Sequence, residues 1–78
     1  MKLTYDPRYN IAYLRLKERA AEVETLRISD TLNVDPAPDG TVYGIEFLNA
    51  NEQLLGVDGP TVEVVNEAQH SRHAVPLT

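Results

Sequence analysis

Two histidines three residues apart, His70 and His73, form the densest metal-capable pair in this 78-residue sequence. At i, i+3 on a helix they would share a face, a spacing that metals use. A zinc site needs further ligands, and only Glu67 lies close in sequence. The pair therefore reads as two solvated side chains near a chain end, and no metal or other cofactor is expected. Three carboxylates, Asp35, Asp39 and Glu46, gather around one turn. Carboxylates do acid–base work when a pocket drives their pKa values apart. Here Asp39 is accounted for by the turn, and solvation is the ordinary expectation for the set. Glu46 sits mid-strand between apolar neighbours and is expected to pair across strands with Arg15 or Arg27. Neither serine, Ser29 nor Ser71, has the glycine neighbours of a nucleophile elbow. No glycine precedes a phosphate-loop lysine, and there is no cysteine. The expectation is a protein that is not an enzyme.

Tyrosine is the more suggestive residue type. Four of them (Tyr5, Tyr9, Tyr13 and Tyr43) are many for this length, and a large apolar body with a polar tip suits an interface. Gly44 lies inside an alternating run, where glycine marks a bulge or a close approach from above. A helix or a second copy packing on that glycine is the expectation; a small ligand there is the alternative. The interface candidates are Ile11, Tyr13, Val42, Gly44 and Leu48.

The elements that must position these residues centre on one hairpin. Residues 31–35 alternate, Pro36 and Pro38 cannot continue a ladder, and Asp39-Gly40 closes a turn. Residues 41–48 then alternate again, with Tyr43, Ile45 and Phe47 as an inward stripe. Upstream, residues 2–5 and 11–16 read as strands around an Asp6-Pro7 turn. Ala12, Leu14 and Leu16 line one side of the second strand, and Ile11 and Tyr13 the other. Residues 17–22 read as a loop. A strand follows from Val23 to Ile28, broken at Ser29-Asp30 by a bulge or bend. Asn49 with Glu52 looks like a helix cap, its side chain accepting from the next turn, with a stop at Gly56. Residues 61–69 are β-branched, yet Val62, Val65 and Ala68 at spacing three, opened by Pro60, favour a helix. The fold expected is α+β: a small antiparallel β-meander of four to five strands followed by a C-terminal helical segment. Residues 1–69 make the one domain and 70–78 a flexible tail.

Twelve acids against seven bases give a net charge of −5. That disfavours direct nucleic-acid binding and suits a basic protein partner. No apolar run approaches the roughly 18 residues of a membrane span, and residues 1–6 carry no signal-peptide core, so a cytoplasmic protein is expected. A chain this short buries only about 60 % of its unfolded surface. Without disulfides, and with a second strand apolar on both sides, the sheet needs cover beyond one helix, and a homodimer is expected.

The residues Lys2-Leu3-Thr4-Tyr5-Asp6-Pro7, Ala12-Tyr13-Leu14-Arg15-Leu16, Val34-Asp35, Asp39-Gly40 and Val42-Tyr43-Gly44-Ile45-Glu46-Phe47-Leu48 resemble the bacterial family catalogued as domain of unknown function 2283. The resemblance covers about residues 2–50. Pro36 and Pro38 stand where that family usually carries acidic residues. The resemblance implies a small β-meander followed by a helix and no assigned activity. Family members are often encoded beside small proteins resembling ribonuclease toxins, which implies an antitoxin-like role. The function expected is a non-enzymatic protein-interaction module acting as a homo-oligomer; the alternative is a small-ligand-binding oligomer with a pocket at the subunit interface.

Overall fold

The computed structural model describes residues 1–18 and 24–78. Five strands form the first sheet: β1 (Lys2–Asp6), β2 (Ile11–Arg15), β3 (Leu26–Ser29), β4 (Leu32–Pro36) and β5 (Val42–Leu48). They lie in the order β1-β2-β5-β4-β3, every pair antiparallel. A single helical turn, α1 (Ala50–Gln53), follows. The chain then makes a second sheet from β6 (Leu55–Gly56), β7 (Gly59–Asn66) and β8 (Ser71–Pro76), in that order.

The architecture is β, not α+β. The helix expected over 61–69 is replaced by β7, and β8 returns along it from Asn66↔Ser71 to Thr61↔Pro76. The spacing-three pattern lost to the stiff side chains of Thr61, Val62, Val64 and Val65, which fit a pleated surface better than a helix. The stretch expected to be a tail supplies β8, its turn closed by His70 at φ 53°. His70 thus sits in a turn and His73 in a strand opposite Val64, so they share no helix face.

Strand alternation divides the first sheet into two unlike faces. Leu3, Tyr5, Ala12, Leu14, Ile45, Phe47, Leu32, Val34 and Leu26 share one, as the register requires. The opposite face carries Thr4, Tyr13, Arg15, Gly44, Glu46, Asn33 and Asp35. Ser29-Asp30, expected to interrupt one strand, is instead where the chain reverses between β3 and β4. Ser29 Oγ accepts the Thr31 N–H at 3.2 Å, and the register shifts one step earlier, between Arg27 and Ser29. The loop expected at 17–22 and the start of the strand from Val23 lie largely outside the described residues.

Two asparagines join the sheet to α1. Asn10 and Asn49 both adopt φ 59°, a left-handed conformation that asparagine tolerates better than most residues. Asn10 Nδ2 donates to Asn49 Oδ1 at 3.1 Å, while Asn10 Oδ1 accepts the Asn51 N–H at 2.7 Å. Asn49 therefore does not accept from the next turn as expected; its amide donates to Glu52 at 3.0 Å. The clamp seats Ala50, which is fully buried. Asn10→Ala is expected to cost about 2 kcal/mol, from the left-handed backbone and the lost bonds, read as a lowered urea midpoint with unchanged slope.

Candidate functional site

The polar face is organised by Tyr13, Asp35 and Gly44. The register sets Gly44 of β5 opposite Asp35 of β4 on one side and opposite Arg15 of β2 on the other. With no side chain at 44, the Tyr13 ring lies over that backbone. A Cβ at 44 would stand 2.1 Å from Tyr13 Oη and 2.4 Å from Cζ. Tyr13 Oη donates to Asp35 Oδ2 at 2.6 Å, and Thr25 Oγ1 donates to Asp35 Oδ1 at 2.8 Å. Asp35 is 4 % exposed, in contrast to the solvated carboxylate expected from the sequence. Short hydroxyl-to-carboxylate bonds of this kind are about twice as strong as neutral ones. The close approach that Gly44 signalled is thus made by a tyrosine of the same chain.

The carboxylates expected to cluster take separate roles. Glu46 accepts from Asn33 Nδ2 at 2.9 Å, and pairs with neither expected arginine. Its register neighbours are Tyr13 and Asn33, whereas Arg15 faces Gly44, one step out of line. Arg15 reaches Glu18 at 3.9 Å, and Arg27 pairs with Asp30. Asp39 accepts the Thr41 N–H at 2.9 Å and its hydroxyl at 2.7 Å; these bonds, the backbone one first, hold its carboxyl below the usual range. In the first turn, the Arg8 guanidinium grips Asp6 at 2.9 and 3.1 Å and lowers its pKa likewise.

Thr4, Tyr13, Arg15, Thr25, Asp35 and Glu46 line a shallow depression of about 420 Å³ on this face. Among the interface candidates, Ile11 and Leu48 are cross-strand neighbours and Val42 lies opposite Pro36 at the hairpin end. Tyr13 and Gly44 are engaged with each other and, through the tyrosine, with Asp35. The apolar face carries the more conspicuous feature. No large side chain of the described residues is fully buried, and the buried apolar residues are Ala12, Ala37 and Ala50. Leu3, Leu14, Leu32, Val34, Ile45 and Phe47 are all only half-buried, and Leu26 and Ile28 at the sheet edge are exposed. The sequence reading expected a C-terminal helix over one side of the sheet and a second copy over the other; that helix does not form.

A small antiparallel β protein, its first sheet locked on the polar face and only partly covered on the apolar face among the described residues, is the class these features define. Among the described residues no helix is long and apolar enough to cross a membrane. The chain belongs to the family of proteins of unknown function DUF2283, whose sequence pattern matches residues 2–51. No curated protein and no solved structure matches it.

Proposed function

We propose that the protein is a non-enzymatic interaction module that acts as a homo-oligomer, with its apolar sheet face as the self-contact. The observation that carries this reading is the half-buried apolar face above a sheet with no large buried side chain. Two global quantities support it. The accessible surface is 5879 Å², against about 4,700 Å² for a compact monomer of 8.7 kDa. The radius of gyration is 14.0 Å, against about 11.5 Å for a closed domain of this length. The excess area, about 1,200 Å² per chain, exceeds the ~800 Å² per partner of a standard stable interface. The net charge of −5 suits a basic protein as a further partner, as an antitoxin-like neutraliser would require.

Sedimentation equilibrium at tens of micromolar tests the self-contact. The expected mass is that of two or more 8.7 kDa chains. A folded monomer that stays so as concentration rises would remove the reading.

A further inference from the structure

The second sheet is itself two-faced. Register places Pro60, Val62 and Val64 of β7 beside Val75 and His73 of β8, with Leu77 bonded back to Pro60 at 2.9 Å. Leu55 of β6 joins this face opposite Pro60. The other face carries Thr61, Glu63, Val65, Arg72, Ala74 and Pro76, with Glu63 and Arg72 in a 2.9 Å ion pair. Towards Leu55 and Leu77 the first face is continuously apolar, whereas the second holds the ion pair, so the two sides of the hairpin differ in what they can be laid on. Yet Val64 and Val75 are 54 % and 47 % exposed, and no strand of this sheet packs closely along a strand of the first.

Among the described residues the chain thus presents two apolar surfaces, neither packed closely along the other within one copy. We infer that the C-terminal hairpin of one copy seats its Val62, Val64 and Val75 face on the apolar sheet face of a second copy, and receives that copy's hairpin in return. This rests on the self-association proposed above and specifies its geometry. Dimensions agree: six paired positions of β7 and β8 run about 20 Å, and five strands span about 19 Å at the usual strand spacing. A sheet-on-sheet dimer would leave both hairpins uncovered. The reciprocal arrangement covers all four surfaces and is isologous, so it closes at two chains. It also accounts for an excess area larger than one standard interface needs.

The sequence has no cysteine, so single introduced thiols report unambiguously. Full-length Val64→Cys and Ile45→Cys proteins are mixed, allowed to exchange subunits and oxidised in a glutathione buffer. The expected result is a mixed disulfide between the two variants well above the half that random pairing gives. Leu14→Cys replaces Ile45→Cys should the latter fold poorly. A dimeric mass with only like-with-like disulfides, or with none, overturns the hairpin seating while leaving self-association standing. A monomeric mass for the unmodified chain overturns both.

Discussion

Gly44→Ala is expected to lower stability by about 2–4 kcal/mol, a drop in the unfolding midpoint of roughly 10–20 °C for a domain this small. The added methyl would meet the Tyr13 phenol at 2.1 Å. The ring is rigid, so it must swing off β5 and surrender its bond to Asp35. A total stability of only about 4–12 kcal/mol is typical at this length, so the loss is a large share of it. A double-mutant cycle identifies the cause. In a Tyr13→Ala background the same substitution should cost almost nothing, or stabilise slightly, because alanine suits a strand interior better than glycine. Additive costs would mean that the ring is not what the methyl meets. All such comparisons belong at one protein concentration, since the proposed self-association would link stability to mass action.

Asp35→Ala is expected to cost a similar 2–4 kcal/mol, for a different reason. It strips the acceptor from Tyr13 Oη and Thr25 Oγ1 together. Thr25 is exposed and returns its hydroxyl to water, whereas the Tyr13 hydroxyl is left over the sheet. Asp35→Asn should cost about half as much as Asp35→Ala, since one amide oxygen can still accept but the nitrogen cannot. Paired with Tyr13→Phe in chemical denaturation, Asp35→Ala should show a coupling of at least about 1 kcal/mol. Coupling indistinguishable from zero would reduce the contact to mere proximity.

Most of the first sheet can be read from the chain because its signals are local. Alternation from Val42 to Leu48 and the Asp39-Gly40 turn specify the β4–β5 hairpin without reference to anything distant. The lock on the polar face is legible only in part. Gly44 announces a close approach, but the identity of the visitor depends on register between β2 and β5, which no local pattern encodes. The same register decides that Glu46 meets Asn33 rather than an arginine. The signal that could have found the lock was Gly44 beside a tyrosine-bearing strand, with Asp35 at the matching position of the facing hairpin arm. The C-terminal hairpin was misread because Val62, Val65 and Ala68 satisfy a helical spacing that Val62, Val64 and their β-branched neighbours override. From that misreading came the helix expected over one side of the sheet.

The strand order has a consequence for how the sheet assembles. Pairings β1–β2, β3–β4 and β4–β5 join neighbours along the chain, as does β7–β8. Among the strand pairs of the described residues only β2–β5 brings together segments separated by roughly thirty residues, so that pairing carries the long loop-closure entropy. The sheet is thus two quickly made pieces zipped along one slow seam. Tyr13, reaching from β2 over β5 to the carboxylate on β4, is the bolt across that seam: it links the late-arriving hairpin to the part already formed, and loosening it should speed the parting of the two more than it frays either one.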